Sequence, residues 1–195
     1  MDQPSSRGIM PIVGSIVFLF AAPGLLGVFI PWYTTGWHMD EPLLGFEPVR
    51  WLGGGLILFG SAVLFDSFAR FALQGRGTPA PIYPTATLVI SGAYRYVRNP
   101  MYLAVIALIA GQGLLIGCLP LLIYALAFGV VTHLFVLAYE EPTLRSTYGA
   151  QYEAYATGVR RWMPRLTPWQ SAAPSHPIPR ASGRPGSRKE IADAT

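Results

Sequence analysis

Residues 101–139 read MYLAVIALIAGQGLLIGCLPLLIYALAFGVVTHLFVLAY, 39 residues without an Asp, Glu, Lys or Arg. A helix rises about 1.5 Å per residue and needs about 20 residues to cross the roughly 30 Å hydrocarbon core of a bilayer. The stretch is too long for one crossing and right for two. Gly117-Cys118-Leu119-Pro120 supplies the break, so the pattern predicts spans over 101–117 and 121–139, joined by a tight hairpin with no polar loop. Gly113 and Gly117 lie about one turn apart and permit close helix approach.

Charge returns abruptly at both ends of this hairpin. Before it stands Gly92-Ala93-Tyr94-Arg95-Tyr96-Val97-Arg98-Asn99-Pro100-Met101-Tyr102. After it come Glu140-Glu141-Pro142-Thr143-Leu144, Tyr148-Gly149, Tyr152-Glu153, Tyr155, Arg160-Arg161-Trp162 and Pro164. Antiparallel arms bring the start of one beside the end of the other, so Arg98, Asn99 and Tyr102 are expected to face Glu140 and Glu141. Asn99-Pro100 is a helix-start signal, with Asn as N-cap and Pro at the first helical position. The free N–H groups of that first turn, with Arg95 and Arg98, suit a carboxylate or phosphate. His133 lies two turns before Glu140, so His133, Leu137, Glu140 and Leu144 share a stripe. A polar group at that depth is expected to face the bundle interior. His133 and one Glu face make a poor ligand set, so no metal is expected. They suit an ammonium group or a ribose diol.

Further out, Ile9–Ile30 is uncharged over 22 residues and follows Arg7. It ends in Ile30-Pro31-Trp32-Tyr33 and not in a small-residue cleavage site, so an uncleaved first span over 9–30 is expected. The 31–50 loop carries Asp40, Glu41 and Glu47 against Arg50, with Trp32, Tyr33, Trp37 and Trp51 as an aromatic belt around it. A further span is expected over 51–73, where Asp66 and Arg70 are four apart and can pair at the membrane edge. Gly53-Gly54-Gly55 lies inside this apolar helix with no preceding strand, and reads as packing. Residues 74–93 form a loop punctuated by Pro and Gly. Residues 168–195 are rich in Pro, Ser, Gly, Arg and Ala, and are expected to form a disordered tail after a single membrane domain over 1–167.

Composition agrees. Apolar residues make up 52% of the chain, charged residues 12%, and the mean hydropathy is +0.39. A soluble domain carries about 25% charged residues, so neither a soluble globular domain nor a wholly disordered chain fits. The charge balance is −3 before Arg70 and +7 from Arg70 onward. The basic residues border apolar segments, which points to cytoplasmic loops, and nucleic-acid binding is not expected. The single cysteine, Cys118, excludes an internal disulfide. The fold class expected is all-α: a polytopic membrane helix bundle of four transmembrane helices, with a C-terminal helical hairpin and a cytoplasmic C-terminal helix. Both termini then lie in the cytoplasm, and the 31–50 loop and the Cys118 turn face outside. A bacterial inner membrane fits the four compact spans and the Ala/Gly/Pro/Arg-rich composition.

The unit Tyr94-Arg95-Tyr96-Val97-Arg98-Asn99-Pro100-Met101-Tyr102-Leu103-Ala104, followed by His133, Glu140-Glu141-Pro142-x-Leu144, Gly149-x-x-Tyr152-x-x-Tyr155, Val159-x-Arg161 and Pro164, resembles the isoprenylcysteine carboxyl methyltransferase / phospholipid methyltransferase family of integral membrane enzymes. The resemblance covers roughly residues 75–166. Many members have His where this chain has Asn99, members often have Pro where it has Arg160, and the eukaryotic prenylcysteine enzymes have more spans. The resemblance implies an S-adenosylmethionine-dependent methyltransferase acting on a lipophilic acceptor: an isoprenylcysteine-like carboxylate, a phospholipid amine or a thiol. It implies a cytoplasmic donor site drawn from Tyr94, Arg95, Arg98, Asn99, Pro100, Tyr102, His133, Glu140 and Glu141. Arg95 or Arg98 would hold the donor's carboxylate, and Glu140 or Glu141 its ammonium or ribose. Arg161, Arg160 and Glu153 are the catalytic candidates, the two arginines orienting an anionic acceptor head group. Two other readings are an NADPH-dependent reductase of the sterol-reductase type, whose members resemble this family in their C-terminal part but are longer, and a non-catalytic membrane scaffold.

The topology is directly testable. A reporter fused after Thr195 and one inserted near Arg76 are expected to report the cytoplasm, and one near Asp40 the outside. If the Arg76 and Asp40 sites report the same side, the 51–73 segment does not cross.

Overall fold

The structure, a computed structural model, describes residues 20–74 and 88–170, with side chains over 21–70 and 88–170. Residues 9–19 of the expected first span, residues 75–87 of the expected loop and the tail from residue 171 lie outside the described residues. The described residues are helical, with no strand among them. A wide, π-helical stretch, Phe20–Phe29, runs into α1 (Ile30–Thr35). Then follow α2 (Pro48–Gln74), α3 (Pro100–Ile116), α4 (Leu119–Phe135), a second wide turn over Val136–Glu140, α5 (Glu141–Tyr148) and α6 (Ala150–Gly158). Pro48–Arg70 and Leu119–Tyr148 are each long and apolar enough to cross a membrane, and Pro100–Ile116 is a shorter apolar helix. The expected span over 121–139 is thus the middle of a longer helical run that continues into the polar cluster.

The two wide stretches share a feature, besides Pro23 inside the first. Each ends just ahead of a proline, Pro31 or Pro142, which has no N–H to donate and crowds the carbonyl a turn behind it. Pro31 leaves the Gly27 carbonyl without its normal helical donor. Gln112, buried in α3, fills that place: its Nε2 donates to Gly27 O at 2.7 Å and to Leu108 O at 3.0 Å, while its Oε1 accepts from Trp37 Nε1 at 3.0 Å. Tyr124 of α4 donates to Leu26 O at 3.0 Å. An unpaired buried carbonyl costs about 1–3 kcal/mol, and these side chains tie the Phe20–Thr35 stretch to α3 and α4.

The α3–α4 turn is held at its C-cap by Gly117, whose φ of +83° is the left-handed conformation that favours glycine. A side chain there would strike the Glu41 carbonyl. The 31–50 loop therefore lies across the turn: Asp40 N donates to Ile116 O at 2.9 Å, and Arg50 donates to Leu115 O at 2.8 Å and to Asp40 O at 2.5 Å. Arg50 caps the Leu115 carbonyl in the last turn of α3, so this cation does structural work at that end. The opposite end of the bundle carries the 92–102 and 140–169 segments.

The main packing is α2 against α3 and α3 against α4, around Leu64, Phe68, Ala104, Val105, Leu108, Ile109 and Ala125. Glycine sets its depth. A Cβ on Gly53 would lie 2.6 Å from Gly111 O and 2.6 Å from Leu115 N, and one on Gly111 would lie 2.8 Å from Gly53 O. Gly60 repeats the approach two turns on, 2.8 Å from Ala104 O. Gly54 and Gly55 meet nothing within 4 Å. Of the triplet, only Gly53 packs backbone against backbone. Gly53→Ala is expected to destabilise the detergent-solubilised chain by about 1–3 kcal/mol, because the helices must part. Gly54→Ala and Gly55→Ala are expected to leave stability unchanged or raise it by up to about 1 kcal/mol through helix propensity. Equal effects at all three positions, in thermal or denaturant unfolding, would contradict the assigned interface.

Candidate functional site

The 92–99 loop is fixed to α2 from below. Asp66 and Arg70 make the expected pair as a two-pronged bridge, Nε to Oδ2 and Nη2 to Oδ1, both at 2.8 Å. Gly92, with φ +53°, sits directly on it, where a Cβ would collide with both side chains. The Ala93 backbone also hydrogen-bonds Asp66, and Ser67 is a hydrogen-bond partner of Tyr94. Asp66 and Arg70 thus act as a pedestal for the motif.

The C-terminal segment straps the same loop from above. Arg98 N donates to Arg160 O at 2.9 Å, Arg165 N to Tyr96 O at 2.9 Å, and Trp169 N to Arg95 O at 2.8 Å. Arg95 Nε returns a bond to Trp169 O at 2.9 Å. Asn99 stands at the N-cap position, with Pro100 as first helical residue, yet its side chain does not cap the helix. It donates to Arg161 O at 3.2 Å instead. Tyr155 donates to Tyr94 O at 2.7 Å. Burial pushes the Tyr94 and Tyr155 hydroxyls well above the ordinary tyrosine range, so both keep their protons. Trp169 packs edge-on against Tyr155 and lies against Gly158, where a Cβ would strike its indole. Packed structure therefore runs through Trp169, past the expected domain edge at 167. An aromatic in an otherwise Pro/Ser-rich stretch was the signal for it.

Between loop and strap lies Glu141, 4% exposed. It receives Arg161 through two bonds, one from Nε and one of 3.0 Å from Nη2. Arg98 Nη1 lies at 3.2 Å and Arg145 Nη2 at 4.0 Å. The hydrogen bond to Glu141 raises the Arg161 pKa further still. Arg98 Nη1 also donates to Tyr152 at 3.2 Å. Its Nε is buried and makes no hydrogen bond, although the side chain is only 10% exposed.

The neighbouring Glu140 has a different environment. The wide turn that precedes it changes which residues share a face, and its carboxylate points to Tyr102, which donates at 2.8 Å. No cation forms an ion pair with Glu140 among the described residues. Tyr102 in turn lies 6.4 Å, ring to ring, from Trp162, and Trp162 Nε1 donates to His133 Nδ1 at 2.9 Å.

The structure thus brings Arg98, Asn99, Pro100, Tyr102, His133, Glu140, Glu141 and Arg161 into one cluster. Tyr94 and Arg95 lie beside it, engaged with Ser67 and Trp169. Arg160 is exposed and contributes its carbonyl to Arg98. Glu153 pairs with Arg145 at 3.0 Å, both well exposed, at the rim. Trp162, given no role in the sequence, links His133 to Tyr102. Gln112 also went unremarked there, although an amide in an uncharged helix is itself a signal.

Residues 49–151, a little over half of the chain, match the family model described as phospholipid methyltransferase. The chain belongs to this family, and is a membrane methyltransferase. The match spans α2 to the start of α6, and so includes both halves of the cluster up to Glu141 but not the Arg160–Trp169 strap. No curated protein and no solved structure matches the chain.

The strap can be tested at one atom. Gly158→Ala places a methyl group on the Trp169 indole and is expected to lower stability by about 1–3 kcal/mol. Trp169→Ala should be of comparable or greater severity. A Gly158→Ala protein that melts like the parent would show that the strap is not seated there.

Proposed function

We propose that the chain is an S-adenosylmethionine-dependent methyltransferase working on a lipophilic acceptor at the cytoplasmic face of a bacterial inner membrane, with a phospholipid amine as the acceptor its family points to. An isoprenylcysteine-like carboxylate or a thiol would use the same donor and the same alignment. The observation that carries the reading is a buried donor without an acceptor together with a carboxylate without a cation. Arg98 has a buried Nε–H with no acceptor, at the start of α3, and Glu140 has a carboxylate with no cation. A zwitterionic amino-acid end fits both: its carboxylate at Arg98 and the first turn of α3, its ammonium, or a ribose hydroxyl, at Glu140.

When bound, S-adenosylmethionine supplies a methyl group already activated by its sulfonium, so the protein's contribution is alignment and exclusion of water. Of the carboxylates considered, Glu141 is occupied by arginines and serves to hold Arg98 and Arg161 in place. Of the arginines, Arg95 is occupied by the Trp169 carbonyl. Tyr102 fixes the orientation of Glu140, and the Tyr102 and Trp162 faces offer a cationic centre favourable electrostatics. Arg160, exposed beside Arg161, suits an anionic head group.

Calorimetric titration of the detergent-purified chain tests this. Glu140→Gln keeps the shape and removes the charge, and is expected to weaken S-adenosylmethionine binding by about 1.5–3 kcal/mol. Arg98→Lys keeps the charge but loses the Nε–H, and is expected to lose affinity too. Parent-like binding by both variants at unchanged folded yield would overturn the site. Parent protein that binds NADPH and not S-adenosylmethionine would restore the reductase reading.

A further inference from the structure

His133 has a side of its chemistry that the donor site does not use. The indole N–H of Trp162 can only donate, so His133 Nδ1, 2.9 Å away, is the acceptor. That bond fixes the tautomer and puts the ring proton on Nε2. Among the described residues nothing accepts from Nε2, and the side chain is half-buried, not sealed. His133 belongs to the Leu119–Tyr148 run that is apolar and long enough to cross the membrane. It lies about 10 Å along the helix from Glu140, toward the bilayer. Val130, one turn before it on the same face of α4, is 52% exposed, and Leu137, in the widened turn after it, is 40% exposed. A donor N–H set among apolar side chains at that level requires an acceptor. Beneath the phosphates, the acceptors that lipids offer are the ester carbonyls at the top of the acyl chains.

We infer that His133, oriented by Trp162, donates Nε2–H to the ester carbonyl oxygen of a membrane glycerolipid, forming a lipid subsite on the bilayer side of the cluster. Val130 and Leu137 give the acyl chain an apolar surface. Trp162 joins this subsite to Tyr102, and Tyr102 to Glu140, so a lipid held at its ester presents its head group toward the charged end. The inference rests on the methyltransferase reading for its purpose, and moves His133 from the donor side, where the sequence put it, to the lipid side.

The test compares dioleoyl-phosphatidylethanolamine with its dialkyl ether analogue, which lacks both carbonyls. Each is titrated against the full-length chain in detergent and read by native mass spectrometry. The parent is expected to prefer the ester lipid by roughly fivefold, the weight of one hydrogen bond. His133→Phe is expected to bring the two lipids to parity at the folded yield of the parent. His133→Gln, which retains an N–H, should recover part of the preference, and Trp162→Phe, which frees the tautomer, should reduce it. Parity in the parent, or a preference that survives His133→Phe, overturns the subsite. Loss of S-adenosylmethionine binding in a folded His133→Phe protein does so as well, by returning His133 to the donor. A parent that shows the ester preference without binding S-adenosylmethionine would support the subsite and remove the S-adenosylmethionine reading.

Discussion

A carboxylate taken out of water costs several kcal/mol unless partners replace its hydration. Glu141 meets that cost by gathering Arg98 from the start of α3, Arg145 from α5 and Arg161 from the strap. Arg98 and Arg161 are far apart in sequence, and the carboxylate is where they converge. Once Arg161 is held there, its carbonyl receives Asn99 and its neighbour's carbonyl receives Arg98, so the strap lies along the motif loop. Trp169 and Gly158 close the other end of the same strap. The chemistry proposed for Glu140 depends on this arrangement, because one glutamate saturated with arginines leaves its neighbour as the carboxylate without a countercharge. Adjacent residues acquire opposite roles through a single widened turn before Pro142.

The membrane part obeys a different constraint. Apolar packing gains little between helices already surrounded by lipid, so the bundle is held by close backbone approach and by hydrogen bonds that a bilayer cannot supply. Gly53 and Gly111 provide the first, and Gln112 and Tyr124 the second. Both wide helical stretches precede prolines, one tying the first helix to the bundle and the other placing the glutamates.

Much of this is legible in the sequence because bilayer burial writes long, unambiguous signals. The absence of charge over 101–139 and the Gly117–Pro120 break predict the hairpin, and antiparallel arms predict that Arg98, Asn99 and Tyr102 meet Glu140 and Glu141. Spacing also gives the Asp66–Arg70 pair. What periodicity could not assign is which partner each charged group chooses. Asn99 reads as an N-cap and bonds the Arg161 carbonyl instead. The His133–Glu140 stripe assumes regular helix, and the π-helical turn at Val136–Glu140 breaks that register. Trp169 falls in a stretch whose average composition reads as tail, and a single large side chain with a glycine to receive it outweighs the average. The Arg50 cap and the Gln112 ties are long-range choices that depend on the assembled bundle.

The dependence on Glu141 can be measured by a double-mutant cycle on unfolding stability in detergent, using Arg98→Met, Glu141→Met and the pair. Glu141→Met strands the buried Arg98 and is expected to cost about 3–5 kcal/mol, Arg98→Met leaves Glu141 with Arg161 and is expected to cost less, and the double variant is expected to cost less than the sum of the two. Coupling of more than about 1 kcal/mol would place the two motifs in one interacting unit. Clean additivity at unchanged helix content would contradict the account, by showing that the start of α3 and the end of the Leu119–Tyr148 run act separately.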